Sequence, residues 1–222
     1  MMNKTATIIG GTGLIGSHLL QLLLEDDHFQ TIRVLVRRPF PHSHPKLEAK
    51  LIDFSDAESF KLGIEGSDAV FCAIGTTQQK VKGDQEAYRR IDYDIPVKAA
   101  RFCNETGCSQ FLLVSSVGAD KNSSNFYLRL KGEVEEVIFK NSIPSIHIFR
   151  PSLLLGKRKE HRSGEKISQT IMPLFSFALI GKWSKYKPIE AENVAKAMIS
   201  ASKSGILGHH VYEYADMRRL IP

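Results

Sequence analysis

The sequence predicts an α/β fold: a doubly wound parallel sheet with helices on both faces and a small C-terminal cap. Two features predict it. Short apolar runs rich in β-branched residues alternate with longer stretches of helical periodicity, the order that parallel strands joined by crossover helices require. The short runs are apolar throughout rather than alternating, as strands covered on both faces must be.

The elements follow in order. Residues 5–9 read as a first strand and 14–24 as a helix, with leucine at 14, 19, 20, 22, 23 and 24. Residues 31–36 read as a second strand, 49–52 as a short third and 69–74 as a fourth. Residues 85–106 read as one long helix stopped by Gly107. A fifth strand over 111–115, a helix over 125–140 and a sixth strand over 145–149 complete the alternation. Beyond Arg150 a polar loop over 156–166 leads to a helix near 167–177. A loop with Trp183 and Pro188 follows, then a helix near 191–202 and a short strand near 210–214. Residues 151–222 are too few for an independent domain and read as a substrate-side cap, so 1–222 is expected to form one domain.

Composition narrows the function. Hydrophobic residues are 42% and charged residues 24% of the 222, an ordinary globular balance. No run of about 18 apolar residues exists, and the longest stretch, over 171–180, is broken by Pro173 and Ser176, so no membrane span is expected. The N-terminus reads directly into a strand, without the basic start of a signal peptide. Three cysteines, Cys72, Cys103 and Cys108, are an odd number without metal-ligand spacing. They predict reduced thiols in a cytoplasmic protein and no metal site. The net charge of +6 suits an anionic ligand such as a phosphorylated cofactor. Nucleic acid is not expected, because no recognised binding motif accompanies the charge. The densest basic patch, Lys157, Arg158, Lys159, His161 and Arg162, is interrupted by Glu160.

Residues 8–16 read Ile-Ile-Gly-Gly-Thr-Gly-Leu-Ile-Gly. The glycines fit G-x-x-G-x-x-G through Gly10, Gly13 and Gly16, and G-x-G-x-x-G through Gly11, Gly13 and Gly16. The motif follows a strand and opens a helix, the context of a Rossmann-like phosphate cradle. Glycines permit a tight turn and close backbone approach to a pyrophosphate, and the helix N-terminus offers free N–H groups to it. The second strand ends in Arg37-Arg38, with no acid there for ribose hydroxyls, which favours NADP(H) over NAD(H). Asp53, after the third strand, is placed to touch the adenine or to cap the next helix, although Ser55 and Asp56 are better placed for capping. Ala73, Ile74 and Gly75 end the fourth strand, where small residues let a cofactor lie against the backbone.

Ser115 and Ser116 close the fifth strand, and Tyr127 and Lys131 follow on the next helix. A spacing of four puts tyrosine and lysine on one helix face. An ammonium close to a phenol favours the phenolate, which a tyrosine needs for acid–base work near neutrality. Of the six tyrosines only Tyr127 has a lysine four residues on. A serine hydroxyl beside it can hold a substrate oxygen.

The glycine motif, the serine pair, Tyr127-x-x-x-Lys131 and Arg150-Pro151-Ser152 together resemble the atypical branch of the short-chain dehydrogenase/reductase superfamily. The resemblance implies NADPH binding by Gly10, Thr12, Gly13, Leu14, Ile15, Gly16 and Arg37. It implies Tyr127 as acid–base, Lys131 as ribose ligand and modulator of the tyrosine, and Ser116 in preference to Ser115 as the serine. It implies turnover of a small carbonyl or alcohol substrate by a monomer or homodimer. The alternative is an NADPH-binding, redox-sensing regulatory protein without turnover. A sugar-nucleotide epimerase is a third reading, for which the C-terminal third is short.

Overall fold

The computed structural model describes residues 3–77, 79–156 and 181–221. The polar loop expected over 156–166, apart from Gly156, the helix near 167–177 and the basic patch from Lys157 lie outside the described residues.

The strands are β1 (Thr5–Ile9), β2 (Thr31–Val36), β3 (Leu47–Leu51), β4 (Ala69–Cys72), β5 (Gln110–Val114), β6 (Ser145–Phe149), β7 (Leu154–Leu155), β8 (Ile189–Glu190) and β9 (Gly208–Tyr212). Seven form one sheet in the order β3-β2-β1-β4-β5-β6-β9, and every pairing is parallel. The α/β, Rossmann-like expectation is borne out. The order reverses between β1 and β4, which sets a crevice at their C-terminal ends. Ile9 pairs with Cys72 in register, so Gly10 and Ala73 leave the sheet side by side.

The helices are α1 (Leu14–Glu25), α2 (Ala57–Ile64), α3 (Gln85–Arg89), α4 (Ile95–Glu105), α5 (Phe126–Ile138), α6 (Ala191–Lys203) and α7 (Tyr214–Leu220). Ile15, Leu19 and Leu23 of α1 and Val194 and Met198 of α6 are buried together on one face of the sheet. Phe60 of α2, Phe102 of α4 and Val134 and Ile138 of α5 cover the other. Each such side chain contributes about 1.5–3 kcal/mol on burial.

Four elements depart from the sequence reading. The helix expected over 85–106 is broken by a π-helical turn at Arg90–Asp94. Pro96 has no N–H to give the carbonyl four residues earlier, that of Asp92, and its ring would clash with it, so the chain widens there. Strand β3 begins at Leu47 because Glu48, which meets Arg33 of β2 at 2.8 Å, is a strand residue at a solvated edge. Strand β4 stops at Cys72, where Ala73 passes to the side of the glycine loop. Strand β9 starts earlier and ends at Tyr212, because Glu213 and Asp216 form a capping box that opens α7. Within the span read as a cap, α6 packs on α1 and β9 extends the sheet, so both complete the sandwich itself. Among the described residues no helix is long and apolar enough to cross a membrane.

Candidate cofactor and active site

Strand β1 runs into the glycine loop at the switch point. Gly10 has φ +87°, and a Cβ there would stand 2.8 Å from the backbone of Ala73 and Ile74. A Cβ at Gly16 would stand 2.1 Å from the Gly10 oxygen, so the first turn of α1 rests directly on the loop. Gly13 is the N-cap of α1, with no side-chain cap and no acid in the first turn. The N–H groups of Leu14, Ile15 and Gly16 therefore have no partner within the helix. Ile15 sends its side chain into the core, and Thr12 and Gly13 are exposed. Free N–H groups at a helix start attract an anion such as a pyrophosphate.

Arg37 and Arg38 are exposed at the end of β2 and make no ion pair or hydrogen bond among the described residues. Asp53 is exposed after β3 and accepts from the Ser55 amide at 2.8 Å and hydroxyl at 2.7 Å, bonds that hold its carboxyl below the usual range. Asp56, not Asp53, caps α2.

The other side of the candidate site is built by the π-turn and α5. Asp92, almost wholly buried, accepts from the Thr76 amide at 2.7 Å and lies 3.0 Å from Lys131 Nζ. Gly75 adjoins this pair: a Cβ there would stand 3.4 Å from Asp92 Oδ1. Burial by itself would lower the Lys131 pKa, but the Asp92 carboxylate, with Tyr127 and Tyr88 adding to it, more than offsets that and raises it. Lys131 Nζ stands 5.8 Å from the centroid of the half-buried Tyr127 ring. Tyr88 packs edge-on to Tyr127 with centroids 6.4 Å apart. Gly10 thus lies against Ala73, and two residues on Gly75 adjoins Asp92, the ion-pair partner of Lys131, whose Nζ faces the Tyr127 ring.

The two serines differ. Ser115 is buried and its hydroxyl donates to Glu135, whose carboxylate also accepts from Arg150 Nε at 3.1 and 3.2 Å. Ser116 is half-buried, and among the described residues its hydroxyl makes only a 3.3 Å contact to the Val117 carbonyl. A Cβ at Gly132 would stand 2.2 Å from the Lys121 amide nitrogen, so the loop after Ser116 lies directly on α5. Asp92 and Glu135 are the charged residues that the sequence reading missed. Pro96 marked the break that turns Asp92 inward, and Glu135 repeats the four-residue spacing of Tyr127 and Lys131.

A family model described as NAD(P)H-binding matches residues 10–166. The chain belongs to the NAD(P)H-binding family. Curated relatives of this NAD(P)H-binding protein include Protein HTATIP2 of Rattus norvegicus, 32% identical over 203 residues, 90% of this chain and 81% of the relative. Protein FMP52, mitochondrial, of Candida albicans is 35% identical over 213 residues, 90% of this chain and 89% of the relative. Among solved structures, WbmH of Bordetella bronchiseptica in complex with NAD+ matches with TM-score 0.71 and 18% identity, covering 96% of this chain and 76% of that one. MoeE5 in complex with UDP-glucose and NAD matches with TM-score 0.71 and 14% identity, covering 93% and 74%. These structural likenesses are of fold, and with the relatives they bear out the short-chain dehydrogenase/reductase resemblance.

The cytoplasmic expectation is corrected. The FMP52 relatives from Candida albicans, Debaryomyces hansenii and Candida glabrata are named mitochondrial. The cysteines behind that expectation do not discriminate between compartments. All three are free and buried, and burial pushes the Cys72 thiol up to about 12.

Proposed function

We propose that this protein is an NADP(H)-dependent oxidoreductase acting on a carbonyl or alcohol of a small substrate. The observation that carries the proposal is Tyr127 beside a buried Lys131, whose ion-pair partner Asp92 adjoins Gly75 at the end of the strand next to the glycine cradle.

The N–H groups at Thr12 and Leu14 to Gly16 would hold the pyrophosphate, and Arg37 and Arg38 the 2′-phosphate. Asp53 would face the adenine, Ala73 and Gly75 would let the dinucleotide lie on the backbone, and Lys131 would hold the ribose. When bound, the nicotinamide supplies or accepts the hydride. The Tyr127 hydroxyl gives its proton to the substrate oxygen in reduction and takes it back in oxidation. The Ser116 hydroxyl donates to the same oxygen, a role for which Ser115, committed to Glu135, is less suited. A cavity of about 110 Å³ lined in part by Tyr88 and Phe126 lies next to Tyr127, whose ring packs against Tyr88.

The test is a panel of aldehydes, ketones and alcohols assayed by NADPH absorbance, with Tyr127→Phe as control. Turnover that the variant loses while still binding NADPH supports the reading. NADPH binding with no turnover on any compound, and no effect of Tyr127→Phe, replaces it with a protein that senses NADPH.

A further inference from the structure

We infer that Asp92 is the positioning residue of this site: its buried carboxylate fixes the Lys131 ammonium and the loop after β4 in one arrangement. The inference rests on the reading of Lys131 as the cation that holds the cofactor.

The geometry gives each carboxylate oxygen a task. Oδ1 meets Lys131 Nζ at 3.0 Å and Oδ2 accepts from the Thr76 amide at 2.7 Å. Lys131 comes from α5, Thr76 from the loop that leaves β4, and Asp92 from the π-turn, so one side chain joins three segments. Neither partner reaches bulk water, because the side chains of Lys131 and Asp92 are 5% and 2% exposed. A buried ammonium without a counter-ion sheds its proton, and the groups facing this one limit what else could keep it charged. They are Tyr127 on its own helix, Tyr88 of α3, Cys72 at the end of β4, and Asp92. Asp92 is the sole carboxylate among them. Pro96 displaces the backbone into the π-turn, and the turn carries Asp92 against Lys131.

Asparagine has nearly the same shape but one acceptor oxygen and no charge. In Asp92→Asn one of the two contacts is lost, and burial then acts on Lys131 with only Tyr127 and Tyr88 against it. The lysine pKa falls from its raised value, so the ammonium that the wild type keeps throughout becomes labile in the neutral to alkaline range. A function that needs the charged lysine is then present at low pH and lost as pH rises.

The measurement is NADPH affinity by calorimetry from about pH 6 to 9, which needs no substrate. The wild-type affinity should show no lysine titration across this range. For Asp92→Asn it should weaken by about tenfold per pH unit above the lowered lysine pKa. Lys131→Met should bind weakly at every pH, with no such slope. An Asp92→Asn profile parallel to the wild type while Lys131→Met binds weakly overturns the inference and spares the oxidoreductase reading. A silent Tyr127→Phe with the Asp92→Asn slope intact does the reverse. If Asp92→Asn does not fold, Asp92→Asn/Lys131→Met decides. Folding restored by removing the unpaired lysine supports the pairing, and a double variant equally unfolded assigns Asp92 to the Thr76 loop alone and overturns it.

Discussion

The glycine loop and the π-turn face of α5 border the same crevice but are built on opposite principles. The loop works by omission: Gly10 and Gly16 leave out side chains that would stand 2.8 and 2.1 Å from backbone atoms, and the helix start is left uncapped. The other side works by compensation. Lys131 is buried in an ion pair with Asp92, and Glu135 answers both Ser115 and Arg150. A region built by omission fails when an atom is added, and one built by compensation fails when one is taken away.

The largest effect should come from adding atoms. Gly16→Val puts carbon into the Gly10 carbonyl and should cost both the fold and NADPH binding. Gly13 has φ −77° and a virtual Cβ 3.2 Å from the Gly10 oxygen, so its own backbone tolerates a side chain better. Gly13→Val should therefore still unfold cooperatively while NADPH binding is lost, because the valine occupies the pyrophosphate's place. Calorimetry showing Gly13→Val within about tenfold of wild type would remove the loop from the site.

Removing atoms should affect chemistry before binding. Tyr127→Phe keeps the ring against Tyr88 and loses the hydroxyl, so turnover should fall by roughly 10²–10⁴-fold with NADPH affinity unchanged. The serines divide the same way. Ser116→Ala should lower turnover by about 10²-fold with little change in melting temperature, the effect of losing one donor at a reacting oxygen. Ser115→Ala leaves Glu135 short of a donor and should cost about 1–3 kcal/mol of stability with turnover largely kept. The opposite pattern in thermal melts and rates would move the reacting serine to position 115.

How legible each half was in the sequence follows the same division. Omission is written locally. Gly10, Gly13 and Gly16 sit between an apolar strand and a leucine-rich helix, and the motif can be read there entire. Compensation is written across the chain. Nothing near Asp92 names Lys131 as its partner, and the long apolar periodicity over 85–106 concealed the π-turn that joins them. Pro96 was the available mark, since its ring acts on the carbonyl of Asp92. Edges were concealed for a different reason. Glu48 belongs to a solvated outer strand, and its polarity left the strand's first two residues outside the span read over 49–52, while the Glu213–Asp216 capping box ended β9 at Tyr212 by a rule that acts on backbone N–H groups rather than on apolar pattern.

The smallest effect separates the two cations offered to the cofactor. Lys131 is buried in its ion pair, and Arg37 and Arg38 stand exposed at the end of β2. A charge-assisted contact from an arginine to the 2′-phosphate contributes roughly 1.5–3 kcal/mol, so NADPH should bind about ten- to a hundredfold more tightly than NADH. Because that contact lies in solvent, salt should weaken it, as the screening length falls from about 10 Å at 0.1 M to about 3 Å at 1 M. The preference for NADPH should shrink several-fold over this range and vanish in Arg37→Ala/Arg38→Ala. The loss caused by Lys131→Met should hardly change with salt, since the ribose contact it removes is shielded from the screening ions. A preference that survives the double arginine variant, or one indifferent to salt, would place the 2′-phosphate somewhere other than the end of β2.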